Sequence, residues 1–158
     1  MSRKTKIIAV ATQKGGAGKS TISIHLAVQA MQSKKSAQVI LLDLDPQGSV
    51  ADWAKLRELE DPIVLQAMPG NPSAYLSQAE EDGADYVVID TPPHAGGTID
   101  AAIRAADLVV IPIRPGPFDI NAAAGTVEIM KQTGRPGIFV LSQVAAVGPE
   151  GRHLAQHE

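Results

Sequence analysis

A nine-residue stretch, QKGGAGKST at 13–21, combines closely spaced glycines with lysine and hydroxyl side chains. Glycine adopts positive φ values at little cost, so such a loop can turn several backbone N–H groups towards one anion. Lys19 can reach the β- and γ-phosphates of a nucleotide, and the Ser20 hydroxyl can coordinate Mg²⁺. The residues of this loop that we predict to bind nucleotide are Gly15, Gly16, Ala17, Gly18, Lys19, Ser20 and Thr21.

The beginning of the stretch departs from the usual phosphate-binding pattern, G-x-x-x-x-G-K-[ST]. Counting back five positions from Gly18 gives Gln13 where the pattern has glycine, and Lys14 follows as a second lysine at the mouth of the loop. The alternative is a glycine-rich turn that binds nothing. Against it, Lys19 and Ser20 stand between an apolar run and a helix-like segment, which is the context in which the motif binds phosphate.

Three aspartates follow apolar runs and are candidates for the rest of a phosphate site. Asp43 and Asp45 lie in LLDLDPQGS at the end of one run, and Asp90 ends the run YVVID. Because open α/β sheets bind ligands at the carboxyl ends of their strands, these side chains are expected near the loop. Asp90 has the Walker B position, from which a carboxylate contacts Mg²⁺ through water. For Asp43 and Asp45, the alternative is that they only cap a helix beginning at Ser49.

The elements that must hold these residues are visible as continuous apolar runs rich in Ile and Val. Such runs are typical of strands that are covered on both faces. The predicted strands are 6–11, 38–45, 85–93, 107–113 and 137–144, with a shorter edge strand at 62–67.

Helix-like segments alternate with these runs. The predicted helices are 19–31, 49–59, 73–81, 99–106 and 120–133, the last with Asp119 as its N-cap and Gly134 at its end. Strands that alternate with helices predict right-handed βαβ units. The fold class is therefore α/β, with a mostly parallel twisted sheet flanked by helices.

The composition excludes several classes of protein. The chain has 158 residues, and we expect 1–158 to form a single domain. Its formal net charge of −3 provides no chain-wide basic field for nucleic acid. The absence of cysteine excludes disulfides and thiolate metal sites and fits a reducing cytoplasm. No run approaches the roughly 20 apolar residues of a membrane span, so we expect a cytoplasmic protein without a membrane partner.

The segment KGGAGKST resembles the deviant Walker A motif of the SIMIBI class of P-loop ATPases, especially the ParA/MinD partition and positioning proteins. The resemblance extends over nearly the whole chain and implies a three-layer P-loop NTPase fold. In that family the first lysine of K-G-G-x-G-K-[ST] reaches across a nucleotide-sandwiched dimer to the partner's phosphates, and Lys14 matches it. A cation supplied in trans stabilises charge developing on the transferred phosphoryl group. The resemblance thus implies that Lys14 is both nucleotide-binding and catalytic.

Two further segments match motifs of the same family. DLDPQ at 43–47 resembles its first switch, which implies that Asp45 orients the attacking water and that Asp43 supports Mg²⁺ through water. Asp90 and the following TPP resemble its Walker B aspartate and second switch, which implies another water-mediated contact to Mg²⁺. The implied metal-site residues are Ser20, Asp43 and Asp90, with Mg²⁺ as cofactor and ATP as substrate.

The resemblance also implies a biological role, closest to that of small ParF-like proteins. It implies a weak, partner-stimulated ATPase that forms an ATP-dependent homodimer. Such a dimer drives plasmid or chromosome partition with a ParB-like centromere-binding adaptor, in the cytoplasm and in association with the nucleoid. The RPGPFDINAA segment at 114–123 resembles one involved in dimer packing. We expect non-specific DNA to contact a basic face of the dimer, formed by Arg104, Arg114, Lys131, Arg135 and Arg152.

Two other functions stay open, and the chain departs from the family in two respects. HAGG at 94–97 and QVAAVG at 143–148 are similar to segments of VirC-type conjugative DNA-transfer ATPases. A non-hydrolysing DNA-binding or scaffold module on the same fold is the other alternative.

Ser142, followed by Gln143, replaces the asparagine that contacts adenine in the family. Family members also continue for another strand and one or two helices, so we expect a chain that is short at its C-terminus and lacks them.

Overall fold

The computed structural model of the chain describes residues 5–144. Six strands and five helices alternate within that range. The strands are β1 (Lys6–Val10), β2 (Val39–Asp43), β3 (Ile63–Gln66), β4 (Tyr86–Asp90), β5 (Leu108–Ile113) and β6 (Gly137–Leu141). The helices are α1 (Lys19–Gln32), α2 (Ser49–Leu56), α3 (Ser73–Glu81), α4 (Gly96–Ala105) and α5 (Pro117–Thr133).

These strands form one parallel sheet in the order β3-β2-β4-β1-β5-β6. The order places β1 in the interior, between β4 and β5. Asp43 of β2 is in register with Asp90 of β4, and Asp90 is in register with Val10 of β1. The carboxyl ends of these three strands therefore lie side by side, at the edge of the sheet from which the glycine-rich loop leaves.

Helices cover both faces of the sheet. Ala27 of α1 and Val50 of α2 pack on one face, while residues of α3, α4 and α5, including Ile99 and Ile103, pack on the other. Full burial of an aliphatic side chain stabilises a fold by about 1.5–3 kcal/mol. The strand ends are thus held between two apolar layers, and the three-layer arrangement expected from the sequence is confirmed.

Each predicted strand is confirmed, including the edge strand at 62–67, and the sheet is parallel throughout rather than mostly so. The final predicted run, 137–144, forms β6 at the opposite edge from β3. The expected absence of a further strand and helices concerns residues after 144, outside the described range. Within that range, no helix is long and apolar enough to cross a membrane.

Helix boundaries were predicted less well than strands. The second helix ends at Leu56 rather than at 59. Asp119 is not an N-cap: α5 begins at Pro117 with Gly116 as its N-cap, so Asp119 lies in the first turn. Proline favours the first helical position because its φ is already helical and its missing N–H is not needed there. The Asp119 carboxylate instead accepts hydrogen bonds from two cationic side chains, Lys14 and Arg114.

Candidate functional site

The loop between β1 and α1 has the backbone geometry of an anion-binding turn. Gly16 and Gly18 have φ values of 73° and 87°, in the left-handed region that other residues rarely adopt. Gly18 is the N-cap of α1, and no side chain caps this helix end. The amides of the first turn therefore remain available to a ligand, where the helix dipole also favours negative charge.

An open cleft of about 250 Å³ lies above this loop. Pockets that enclose a drug-sized ligand usually have volumes of about 300–1,000 Å³. The volume of this cleft therefore suits a phosphate chain better than a complete nucleotide. It is lined by Gly15, Gly16, Gly18, Lys19, Ser20, Thr21, Asp45, Gln47, Ser49 and Pro93. The fold thus brings most of the predicted loop residues and Asp45 together around one space.

Lys19 is only 6% exposed, and its Nζ donates a hydrogen bond to the backbone carbonyl of Lys14 at 3.1 Å. Burial lowers the pKa of Lys19, while the negative charges of Asp90 and Asp45 oppose this shift. A buried cation with an incomplete set of partners gains stability from an anionic ligand. This environment suits Lys19 to hold phosphate oxygens.

Asp90 is fully buried at the end of β4 and connects the sheet to α1. Its two carboxylate oxygens accept hydrogen bonds from the hydroxyls of Ser20, at 2.7 Å, and Ser23, at 2.8 Å. Burial raises the pKa of Asp90 to about 6, although both serine hydroxyls act in the opposite direction. Ser23 was missed in the sequence reading; its spacing of three from Ser20, which places both on one helix face, was the available signal.

Asp43 is buried beside Asp90, but its contacts are with backbone amides. Its Oδ1 accepts a hydrogen bond from the amide of Asp45 at 3.0 Å, and its Oδ2 accepts one from Ala51 in the first turn of α2 at 3.2 Å. Burial raises the pKa of the Asp43 carboxyl, and these amides lower it. The carboxylate therefore stabilises the start of α2, as the helix-capping alternative predicted for this region. Its role at a metal stays a prediction.

Asp45 lies on the wall of the cleft and is half-buried. Its Oδ1 accepts a hydrogen bond from the amide of Gln47 at 3.0 Å, which fixes the side chain above the turn leading to α2. The carboxylate is close enough to Lys19 for its charge to raise the pKa of that lysine. This placement is compatible with contact to a water molecule near the terminal phosphate.

Lys14 is not among the described residues that line the cleft. Its Nζ lies 2.6 Å from Oδ2 of Asp119, whose Oδ1 accepts a hydrogen bond from Nε of Arg114 at 3.0 Å. Lys14 and then Arg114 hold the pKa of the Asp119 carboxyl below its usual range. We call these three residues the outer cluster. Sequence reasoning missed it, although β5 lies next to β1 and its following turn must approach the loop.

The residues after β6 contact the glycine-rich loop. The Ser142 hydroxyl donates a hydrogen bond to the carbonyl of Ala17 at 2.8 Å. The Gln143 side-chain amide donates one to the carbonyl of Gly16, also at 2.8 Å. The donors of both side chains are directed to the glycine-rich loop itself.

The site has a donor set that suits Mg²⁺. No group of three or more His, Cys, Asp or Glu side chains between residues 5 and 144 forms a ready-made metal cage. Mg²⁺ characteristically keeps several waters and binds through few protein oxygens together with substrate phosphates. Ser20 lines the cleft, and its hydroxyl next to the Asp90 carboxylate provides such a sparse oxygen set.

Two of the arginines predicted to form the basic face are already paired with carboxylates. Arg104 forms an ion pair with Asp100, one turn earlier on α4, at 2.7 Å, and Arg114 belongs to the outer cluster. Lys131 is exposed in the last turn of α5. Arg152 lies outside the described residues. Contact with DNA therefore stays a prediction.

Comparison with known proteins relates this geometry to a family. Residues 8–148 match the family described as the CobQ/CobB/MinD/ParA nucleotide binding domain. The maintenance of carboxysome distribution protein A of Gloeobacter kilaueensis is 37% identical over 124 residues, which cover 78% of this chain and 56% of that protein. Protein ParA of Rhizobium radiobacter is 33% identical over 128 residues, which cover 80% of this chain and 56% of that protein. The chain thus spans little more than half the length of these relatives.

A solved structure shares the fold. A putative plasmid partition protein from Borrelia burgdorferi, bound to AMPPNP, superposes with a TM-score of 0.66 at 21% identity. The match covers 96% of this chain and 79% of that one. The likeness confirms the α/β P-loop NTPase fold that the glycine-rich loop and the alternating elements predicted.

Proposed function

The chain belongs to the CobQ/CobB/MinD/ParA nucleotide-binding domain family, and we propose that it is an ATPase that positions cargo in the manner of ParA. It binds ATP with Mg²⁺, dimerises around the nucleotide and hydrolyses it. The observation that carries this proposal is the convergence of Lys19, the Ser20–Asp90 pair and Asp45 on one cleft at a helix N-terminus.

The first part of the mechanism is phosphate binding. The amides of the loop and of the first turn of α1 surround the phosphate chain, and Lys19 adds the charge that burial leaves unsatisfied. Ser20, whose hydroxyl contacts Asp90, would hold Mg²⁺ directly, and Asp90 and Asp43 would hold it through water. Bound Mg²⁺ neutralises phosphate charge and helps to orient the oxygen atoms around phosphorus.

The second part is hydrolysis. Asp45 accepts a hydrogen bond from the attacking water and aligns it with the terminal phosphorus. This water forms the new P–O bond as the bond to the ADP oxygen breaks, and its proton leaves with inorganic phosphate. Because Asp45 is half-buried on the cleft wall, it can act on this water without being a main contact for bound ATP.

The third part is dimerisation, and the outer cluster supports it. Lys14 lies outside the cleft of its own chain and is held by Asp119 in a partly exposed ion pair. The Asp119 carboxylate is buried, with 8% of its side chain exposed, whereas 29% of the Lys14 side chain is exposed. A buried carboxylate needs a cationic partner, so Lys14 can be exchanged only if another cation remains. When Lys14 moves to the phosphates of a second protomer, Arg114 remains as the partner of Asp119. Hydrolysis then depends on the dimer, as with a finger residue supplied in trans.

The cargo is the least constrained part of the proposal. The relatives named above include a carboxysome distribution protein and a ParA, and the structural neighbour is a putative plasmid partition protein. We propose plasmid or chromosome partition with a ParB-like adaptor. The formal charge of −3 and the pairing of Arg104 and Arg114 imply weak DNA binding by the monomer. Non-specific DNA binding therefore follows ATP-dependent dimerisation.

Turnover measurements test this function. The chain alone should release phosphate from ATP slowly, and non-specific duplex DNA together with a candidate adaptor should increase the rate. Lys19→Ala is the control that should show no turnover. ATP binding without turnover under all conditions would favour the non-hydrolysing scaffold alternative. Stimulation by a conjugative transfer protein instead of a centromere-binding adaptor would favour the VirC-type alternative.

A further inference from the structure

We propose that Ser142 and Gln143 are positioning residues that orient the phosphate-binding loop, and that they do not read the nucleotide base. This inference rests on the proposed binding of a nucleotide at the cleft. It differs from contact with adenine, the role that the family resemblance implies for this position.

The two side chains reach consecutive peptide groups of the loop. Ser142 donates to the carbonyl of Ala17 and Gln143 donates to the carbonyl of Gly16, both at 2.8 Å. In a planar trans peptide, the N–H of the next residue points away from the carbonyl. Fixing these two carbonyls towards β6 therefore turns the amides of Ala17 and Gly18 in the opposite direction, where phosphate oxygens need donors.

The pair is itself anchored at the end of β5. The amide of Ser142 donates to the carbonyl of Ile113 at 2.8 Å, and its hydroxyl lies 3.3 Å from the same oxygen. A Cβ placed on Gly18 would lie 3.7 Å from the Cβ of Ser142, so a side chain at that position of the loop would meet Ser142. Ser142 thus joins the loop to the sheet, and it does so outside the cleft, whose lining does not include it.

Gln143 has a backbone conformation that fits this role. Its φ is 55°, in the left-handed region that a residue with a side chain seldom adopts. Such conformations persist where surrounding contacts hold them and are concentrated at functional sites. Here the contact is the bond from the Gln143 amide to Gly16, across 127 positions of sequence.

Positioning and base reading predict different losses on substitution. If the pair orients loop amides, its removal weakens every ligand that uses those amides, whatever base the ligand carries. If the pair reads adenine, its removal weakens ATP alone. A set of ligands that share a phosphate chain but differ in the base therefore separates the two roles.

The experiment measures affinity by calorimetry for Mg²⁺–ATP, Mg²⁺–GTP and Mg²⁺–tripolyphosphate. Ser142→Ala and Gln143→Gly should each weaken all three ligands by the same factor, about three- to tenfold, which corresponds to one lost hydrogen bond. Gln143→Gly accepts a positive φ, so its effect reports the lost amide and not backbone strain. Ser142→Thr keeps the hydroxyl and should restore binding to within about twofold of the unaltered chain.

A loss confined to ATP would overturn the proposal in favour of base contact, and unchanged affinity for all three ligands would overturn it as well. The nucleotide-free chain provides a second readout, the backbone ¹⁵N relaxation of Ala17 and Gly18. Both substitutions should increase the mobility of these amides without a change in thermal unfolding. Equal mobility in the variants and the unaltered chain would contradict the proposal. Failure of the unaltered chain to bind any of the ligands, with the relaxation effect present, would count against the proposed function alone.

Discussion

The two lysines of the phosphate-binding loop occupy contrasting environments, although five positions separate them. Lys19 is 6% exposed in the cleft, where burial lowers its pKa and the charges of Asp90 and Asp45 oppose that shift. Lys14 lies at the outer cluster, half-buried and paired with Asp119. One cation is fixed within the site of its own chain, and the other is held beside it by a contact that can be exchanged.

This difference explains how one loop can contact the nucleotide of its own chain and, in the proposed dimer, the nucleotide of its partner. A buried cation with an incomplete set of partners gains stability from an anionic ligand, so Lys19 is suited to constant binding of phosphate. Arg114 stays paired with the buried Asp119 carboxylate when Lys14 leaves, so the departure of Lys14 leaves no unpaired buried charge. The proposed division of labour is therefore binding by Lys19 and catalysis in trans by Lys14.

Removal of each lysine tests this division with the same chemical change. Lys19→Ala should weaken ATP binding by about 100-fold or more, because a buried cation that contacts phosphate is lost. Lys14→Ala should leave ATP binding by the monomer within about threefold, because Lys14 does not line the cleft of its own chain. Calorimetry at low protein concentration measures both. An equal loss of ATP affinity in the two variants would contradict the proposed division between Lys19 and Lys14.

Asp45 extends the comparison from binding to chemistry. Asp45→Ala should reduce turnover by about 100-fold, the low end of the contribution of a positioned group acting on a nucleophile. It should leave ATP affinity within about threefold and keep an ATP-bound dimer on gel filtration. Asp52→Ala, which removes an exposed aspartate of α2 that pairs with Lys55, is the matched control. Turnover of the Asp45 variant at the rate of this control would exclude a catalytic role.

The buried carboxylate under the cleft makes the stability of the chain depend on pH. The pKa of Asp90 rises from 3.8 to about 6 on folding, so between these values the folded chain retains a proton that the unfolded chain has lost. The stability associated with that proton is present below pH 4 and is lost as pH rises through 6. Asp90→Asn removes this dependence.

Urea unfolding without nucleotide at pH 4 and pH 7.5 measures the effect. The unfolding free energy of the unaltered chain, relative to Asp90→Asn, should fall by about 2–3 kcal/mol between the two pH values. Use of the variant as reference cancels the titration of distant groups. A constant difference would show that folding does not raise the pKa of Asp90.

Asp119 gives the smallest expected effect. Asp119→Asn removes the anion that holds Lys14 and Arg114, so Lys14 should become available to a second protomer more readily. The ATP-dependent dimer should then be about threefold tighter in sedimentation velocity. A weaker dimer would indicate that Asp119 presents Lys14 to the partner and does not restrain it.

Local patterns in the sequence were sufficient to predict most of the fold and the inner part of the site. Continuous Ile- and Val-rich runs predicted the strands, and the glycine-rich loop next to the first run predicted its anion-binding geometry. Asp90 was assigned to this site because its strand ends in the same direction as β1. These predictions depend on residues that are close in sequence, or on the rule that parallel strands end at one edge.

The contacts that were missed join residues far apart in sequence. Lys14 meets Asp119 across 105 positions, and Ser142 meets Ala17 across 125. These pairs depend on the order of strands in the sheet, which places β5 and β6 on one side of β1. The local pattern of the RPGPFD segment predicts only helix capping for Asp119, because an Asp near a helix start usually accepts hydrogen bonds from nearby amides.

Complementation between two inactive variants tests the central claim, that Lys14 acts on the nucleotide of its partner. Lys14→Ala and Asp45→Ala chains are mixed in equal amounts with ATP, and differently tagged chains confirm that mixed dimers form. In a mixed dimer, the Lys14→Ala protomer retains Asp45 and receives Lys14 from its partner, so one site of two is complete. With half of the dimers mixed, turnover should recover to roughly a quarter of that of the unaltered chain, whereas each variant alone stays inactive. Mixed dimers that form without any recovery of turnover would contradict the account and place Lys14 in the site of its own chain.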